Sequence, residues 1–118
     1  QKFRERSFDE MMYSMEAYKC LGNNRMALKL INRAIPLTEN PKDILVDRGV
    51  IFFDLKDYKN AKKDFLAYLN SENTNDDCDS ANLAKAYLKT ISAIESGNTR
   101  ETELSLKNIE YLKLNIRD

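Results

Sequence analysis

The sequence of 118 residues contains no histidine, and it has only three glycines, two prolines and two cysteines. Without histidine it lacks the usual general base at neutral pH and the ligand of most zinc sites, and no Cys-His or Ser-His-Asp set can form. Three glycines leave no glycine-rich phosphate-binding loop. We therefore expect no enzyme, no cofactor and no metal site in these residues.

An excess of charge is also missing, because 19 basic residues balance 19 acidic ones. Nucleic-acid-binding proteins normally carry a basic excess, so we expect no nucleic-acid partner. The longest apolar run extends only from Gly49 to Phe53, which is too short to span a membrane. The first residue is Gln1 rather than Met; we expect a fragment of a longer cytoplasmic protein, with residues 1–6 as a lead-in from an upstream region.

Cys20 and Cys78 lie 58 positions apart, without metal-type spacing. Two cysteines do not make a disulfide scaffold, so two free thiols are the favoured interpretation and a disulfide is the alternative. The acidic run 76–79 lacks the alternating oxygens and the glycine of a calcium loop. It is better explained as an acidic helix start.

Residues 41–69 are predicted to form two short helices joined by a turn at Lys56 and Asp57. Small residues at Gly49 and Ala61 let the two backbones approach. The positions predicted to share the facing surfaces are Leu45, Gly49, Phe52, Tyr58, Ala61, Phe65 and Tyr68.

A second pair of helices precedes this one, and a single constant offset superimposes the two pairs. The first helix of the earlier pair is predicted from Ser7, as the N-cap, to Leu21, and its second from Asn23 or Asn24 until Pro36 weakens or ends it. The offset superimposes Met11 on Leu45, Met15 on Gly49, Tyr18 on Phe52, Ala27 on Ala61 and Ile31 on Phe65. A third pair, predicted from Asp79 or Ser80 to about 96–98 and from about Thr99 to Ile116, is longer and loses this register. Its predicted core positions are Leu83, Ala84, Tyr87, Ile91, Ile94, Leu106, Ile109, Leu112 and Ile116.

These positions and the offset from Met11 to Leu45 resemble the tetratricopeptide repeat, in which the same pattern returns once per helical pair. The resemblance implies an all-α solenoid of about six antiparallel helices in one domain over 7–118, with units at about 8–41, 42–75 and 76–118, the last irregular. A plain helical bundle is the alternative. A second resemblance is to the tetratricopeptide tail of SirB-type, transglutaminase-like bacterial proteins, and it implies a papain-like or degenerate catalytic domain upstream, against which this segment packs or for which it recruits a partner. It rests on Ile31, Arg33, Pro41, Asp47-Arg48-Gly49, Leu55, Asp57-Tyr58, Ala61, Asp64 and Tyr68-Leu69.

In the tetratricopeptide family the first helix of each pair lines a concave surface that binds a peptide or helix. The residues carried onto that surface and predicted to bind a partner are Met12, Tyr13, Glu16, Asp47, Val50, Phe53, Asp54 and Tyr87. Others on the same surface are Asp9, Lys19, Asp43, Val46, Ala84 and Leu88. Phe53 and Tyr87 are the predicted anchors, since buried aromatic anchors dominate binding. The alternative is that neighbouring helices bury these side chains.

The family's carboxylate clamp does not fit this sequence. The clamp positions hold Met12, Glu16, Asp47, Asp77 and Ala81, and the acids at 16 and 47 would repel a carboxylate. We therefore expect a basic or apolar protein partner rather than an acidic one.

The last helix carries a second apolar stripe formed by Leu104, Tyr111 and Leu114. A terminal helix is normally polar on its outer face. A homodimer contact, docking of a missing domain, and burial against the long preceding helix are the three interpretations. The sequence thus predicts a protein-interaction module, with a structural, docking or dimerisation segment of a larger protein as the alternative.

Overall fold

The computed structural model describes the backbone of residues 2–71 and 78–116, and all regular secondary structure in these ranges is helical. Side chains are described except those of residues 2–6, 43 and 116. The α-helices are α1 Lys2–Cys20, α2 Asn24–Ala34, α3 Leu45–Asp54, α4 Tyr58–Leu69, α5 Asp79–Glu95 and α6 Thr99–Ile116. Short 3-10 turns occupy Ile35–Leu37 and Pro41–Ile44. The predicted all-α class is confirmed.

The six helices pack as three consecutive pairs, α1 with α2, α3 with α4, and α5 with α6. Between pairs, α2 packs on α3 and α4 packs on α5. In the middle pair Phe53 lies against Tyr58 and Arg48 lies opposite Asp64, so the two helices run antiparallel. The order of helices along the chain therefore also sets the order in which they contact one another.

Several helix ends differ from the prediction. The helix α1 begins at Lys2, so Ser7 lies inside it and is not its N-cap, and the predicted lead-in is largely helical. The cap of α5 is Cys78, whose sulfur accepts from the Ala81 N–H at 3.4 Å, rather than Asp79 or Ser80. The segment predicted to be helical from residue 41 starts with the 3-10 turn Pro41–Ile44, and the α-helix itself begins only at Leu45.

The turns within the three pairs share one backbone conformation. In each pair the second residue after the end of the first helix has positive φ, namely Gly22 at 79°, Lys56 at 66° and Gly97 at 73°. In each turn this residue and the next one donate their N–H groups back to the last turn of the helix, which is the Schellman arrangement. The bonds are Gly22 to Lys19, Asn23 to Tyr18, Lys56 to Phe53, Asp57 to Phe52, Gly97 to Ile94 and Asn98 to Ala93, all at 2.8–3.1 Å.

The residue after each of these positions caps the helix that follows. Asn23, Asp57 and Asn98 accept through their side-chain oxygens from the backbone N–H three residues later, at 3.2, 3.3 and 3.1 Å. One residue thus closes the first helix and starts the second. Lys56 and Gly97 lie further apart in the sequence than Gly22 and Lys56 do, because α5 is longer than α3.

The core is continuous through α3, which is buried on more sides than the sequence indicated. Val46, Gly49, Val50 and Ile51 are all buried, because α3 contacts α2, α4 and α5. Leu45 and Phe52, predicted as core residues, are only partly buried. The same holds for the predicted positions Met11, Tyr18, Tyr58, Ile94 and Leu112. Buried as predicted are Met15, Ala27, Ile31, Ala61, Phe65, Leu83, Ala84, Ile91 and Ile109.

A partly buried ion pair lies within the middle helical pair and is linked to the first pair by a hydrogen bond. Arg48 of α3 donates from Nε and Nη2 to the two carboxylate oxygens of Asp64 on α4, both at 2.8 Å. Its Nη1 group donates to Asn32 of α2 at 3.1 Å. The hydrogen bond with Asp64 raises the pKa of the Arg48 guanidinium. The Arg48 side chain thus links three helices, α2, α3 and α4.

The turns allow a direct test of backbone strain. Nothing lies near a Cβ added at Gly97, so the cost of Gly97→Ala comes from placing a Cβ on a residue with positive φ, and the change should reduce the free energy of unfolding by about 1 kcal/mol. Lys56→Gly should act in the opposite direction, by up to about 1 kcal/mol, because lysine at positive φ is strained. Urea unfolding of both variants measures this; equal signs for the two changes would contradict the shared turn conformation.

Candidate functional site

A recess lies between α3, α5 and α6, and aromatic rings form its floor. Phe53, half-buried on α3, makes edge-to-face contacts with Tyr58 and Tyr87 at centroid distances of 5.4 and 4.9 Å. Tyr87 in turn stacks on Phe65 at 5.1 Å. The ring of Phe53 is therefore held in place from two sides, as a binding surface requires.

The pocket above these rings has a volume of about 350 Å³ and both signs of charge at its rim. Its lining residues are Phe53, Asp54, Tyr87, Leu106, Lys107, Ile109, Glu110 and Lys113. The Lys113 ammonium lies 5.6 Å from the centre of the Tyr87 ring. An apolar floor with a charged rim can hold one apolar side chain and orient the polar groups beside it.

Two predicted partner-binding residues are not accessible. Val50 and Tyr87 are 4% and 1% exposed, since α4, α5 and α6 surround them. Tyr87 forms the floor of the pocket instead of projecting from it, and burial, followed by the charge of Asp54, raises the pKa of its hydroxyl. For Val50 and Tyr87 the alternative interpretation is correct, since neighbouring helices bury their side chains. The same is true of Val46 and Ala84.

The predicted residues of α1 lie at separate places. Met12 packs against the core between α1 and α2, whereas Tyr13 is 78% exposed and Glu16 and Asp9 are also exposed. Of the α3 residues, Asp54 is exposed beside Phe53. The structure thus brings Phe53, Asp54 and Tyr87 together at one end of α3. Asp43 and Asp77 have side chains outside the described part of the chain.

A second group combines α1 with the beginning of α3. Burial raises the pKa of Asp47 to about 6, with Lys19 acting in the opposite direction and Glu16 adding to the rise. The two α1 side chains therefore lie close enough to Asp47 to act on its charge. Lys19 offsets part of the acidic field that the sequence indicated at this surface.

Sequence reasoning missed the contribution of α6 to the pocket. Leu106 was predicted to lie on the core face, yet it is 40% exposed and lines the pocket with Lys107 and Lys113. The available signal was the helical period, which places 106 and 113 on one side of a helix. Periodicity alone did not indicate that this side would face α3.

The stripe on α6 is open in the described structure. Leu104, Tyr111 and Leu114 are 54%, 64% and 70% exposed. The interpretation that the stripe is buried against the long preceding helix is therefore wrong, since α5 covers the opposite side of α6 through Ile109. Among the described residues, no helix is long and apolar enough to cross a membrane.

Both cysteines are free thiols, in agreement with the favoured interpretation. Cys20 is exposed, whereas the Cys78 sulfur lies 3.4 Å from the Tyr68 hydroxyl at the start of α5. The hydrogen bond with Tyr68, together with the Ala81 N–H, lowers the pKa of the Cys78 thiol. This cysteine acts as a helix cap, which places it outside the pocket.

The pKa of Asp47 predicts a specific dependence of stability on pH. Because its folded pKa of about 6 exceeds that of the unfolded chain, the native state binds more protons between about pH 4 and 6 and stability falls as pH rises through this window. Asp47→Asn should match the wild type near pH 4 and be more stable above pH 6, by roughly 1–3 kcal/mol. Urea unfolding across pH measures the difference, with the exposed Asp9→Asn as control. A difference of constant size at all pH values would contradict it.

Comparison with known proteins gives no match to a family model, to a curated protein or to a solved structure. The function proposed for this chain is therefore argued from its own residues.

Proposed function

We propose that this domain is a protein-interaction module of the tetratricopeptide type that binds a peptide or helix from another protein. The observation that carries the proposal is the pocket at Phe53, where a fixed aromatic floor meets a charged rim. Ligand sites of proteins are typically concave, mostly apolar and supplied with a few polar groups that orient the ligand, as this pocket is.

The shared turn supports the repeat architecture. Gly22 and Lys56 occupy the same left-handed position in successive pairs, at the offset that superimposes Met11 on Leu45, and Asn23 and Asp57 make the same capping bond. Consecutive pairs contact through α2 with α3 and α4 with α5, which is the neighbour-to-neighbour packing of a solenoid. The longest axis of the domain is 48 Å, and the other two are 32 and 29 Å.

The ligand proposed here is apolar at one position and basic beside it. An apolar side chain would enter over Phe53, and a neighbouring basic residue would approach Asp54, which is exposed at the rim. At the other end of α3, the carboxylates of Glu16 and Asp47 would also favour a positively charged group of the ligand. An acidic C-terminus is not the proposed ligand, since these acids stand where a carboxylate clamp needs donors.

Peptide selection against the wild-type domain tests the proposal. Selected peptides should carry an aromatic or large aliphatic residue next to Lys or Arg. Asp54→Lys should weaken their binding about tenfold through repulsion, and Phe53→Ala by about thirtyfold, which corresponds to ~2 kcal/mol. Helicity and unfolding of both variants are checked in parallel, because Phe53 also supports Tyr58 and Tyr87.

Tyr111→Ala is the matched control, since Tyr111 is an exposed aromatic residue that does not line the pocket. It should leave binding unchanged. Peptides that lose affinity with Tyr111→Ala but not with Asp54→Lys would contradict the proposed site.

A structural role is the second candidate function, and the open stripe on α6 favours it. In that role the domain docks on another folded surface, either a second copy of the chain or a neighbouring domain. The transglutaminase-like domain that the SirB-type resemblance implies is one such neighbour.

A further inference from the structure

The outer face of α6 carries a seam of four residues, Leu104, Lys107, Tyr111 and Leu114, which we call the α6 seam. Their alternating steps of three and four positions form a heptad pattern, as in helices that pack at a shallow angle. Leu104, Tyr111 and Leu114 are 54%, 64% and 70% exposed, and Lys107 is exposed as well. The residues that attach α6 to the core, Ser105, Ile109 and Leu112, lie on the other side.

No element in the described ranges covers this seam. Within those ranges α6 packs extensively on α5 alone. The pocket beside α3 includes Lys107 and Glu110 at the edge of the seam, but none of its three apolar residues, Leu104, Tyr111 and Leu114, lines it. Three large apolar side chains in one line along 18 residues form an unusual outer surface for a terminal helix. A partner of helical shape would cover all of them at once.

We propose that α6 pairs with α6 of a second copy of this chain in an antiparallel arrangement. The two-fold axis lies between the two helices, at the level of Ile109 along each of them. This deepens the second candidate function above by naming the partner. The seam is symmetric about Ile109 in the sequence, because Leu104 and Leu114 lie five positions on either side of it and Lys107 and Tyr111 lie two positions on either side. A two-fold interface requires this kind of self-complementarity.

In this arrangement each pair across the axis is chemically matched. Leu104 meets Leu114 of the second copy, so that two apolar pairs form at the ends. Lys107 meets Tyr111 of the second copy, which places an ammonium group against an aromatic ring twice in the centre. Glu110, which flanks the seam one turn from Lys107, comes beside Lys107 of the second copy and pairs with it.

Other arrangements lose these matches. A parallel pair would place Lys107 opposite Lys107 in the middle of the seam, where like charges repel. If one helix of the antiparallel pair is shifted by seven residues along the other, only half of the four seam contacts remain. The other seam residues then have no seam residue of the second copy opposite them. The charges and the spacing therefore select one orientation and one register.

The size of the seam sets the expected strength. One helical face on each copy buries less than the ~1,200 Å² at which specific, stable interfaces begin, so the contact belongs to the weak class. We expect a dimer with a dissociation constant on the order of 100 μM, which mass measurements between ~10 μM and ~1 mM can follow.

Light scattering on the wild-type chain should show a mass that rises toward twice the monomer over this range. Leu114→Asp should remain monomeric throughout. Leu21→Asp is the control, because Leu21 is 80% exposed but lies outside the seam, and it should behave as the wild type. A wild-type chain that remains monomeric at millimolar concentration would overturn the proposal.

Disulfide capture tests the register. In a Cys20→Ser/Cys78→Ser background, Leu104→Cys and Leu114→Cys are made as separate variants, one of them carrying a mass tag. Mild oxidation of the mixture should give the mixed disulfide in at least tenfold excess over either homodimer. Identical positions would lie about 15 Å apart along the axis in the antiparallel pair.

Cross-linking of Leu104→Cys with itself would indicate a parallel pair and would overturn the proposal, as would the absence of any product in the mixture. These outcomes are separate from the peptide-binding proposal, since Leu104 and Leu114 do not line the pocket at Phe53.

Discussion

The structure depends on the close approach of α3 to α4 at Gly49. A Cβ atom placed there would lie 2.7 Å from the nearest ring carbon of Phe65, so only glycine allows this separation. Phe65 cannot move away freely, because its ring is stacked on Tyr87 of α5. Through that stack the separation of α3 and α4 also determines where Tyr87 lies beneath Phe53. The arrangement of the pocket floor therefore depends on the absence of a Cβ atom at Gly49.

The ion pair beside this contact supplies a directional constraint that apolar packing lacks. Arg48 and Asp64 form two parallel hydrogen bonds, and these hold α3 and α4 at one rotation and one height relative to each other. Asn32 extends the constraint to α2. Removing either charge would leave the other partly buried without its partner, which costs more than the pair itself contributes. A polar link at this position therefore orients the middle of the domain.

The sequence predicted local features better than the surroundings of each helix. The glycine-asparagine dipeptides that begin at Gly22 and Gly97 predicted helix ends, and helices end there in the structure. The small residues Ala27 and Ala61 are buried, as predicted. Lys56 takes the same left-handed conformation without a glycine, so local composition could not indicate it.

The candidate site was less predictable, because periodicity identifies a face but not the number of neighbours that cover it. Val50 lies off the face that was predicted to be the core, and it is buried all the same because α3 has packed helices on several sides. The contribution of Leu106 to the pocket depends on the position of α6 relative to α3, which no pattern within α6 contains. Phe53 was recognised because it is an aromatic residue off the predicted core face.

The central claim is that the contact between Gly49 and Phe65 sets the spacing of α3 and α4. A double-mutant cycle with Gly49→Ala and Phe65→Leu, followed by urea unfolding, tests it most directly. The account predicts that Gly49→Ala lowers the free energy of unfolding by about 1–3 kcal/mol in the wild type, although alanine is the better helix former by about 1 kcal/mol. With Phe65→Leu already present, the same change should be neutral or stabilising. An equal loss in both backgrounds, or a gain in the wild type, would contradict the account.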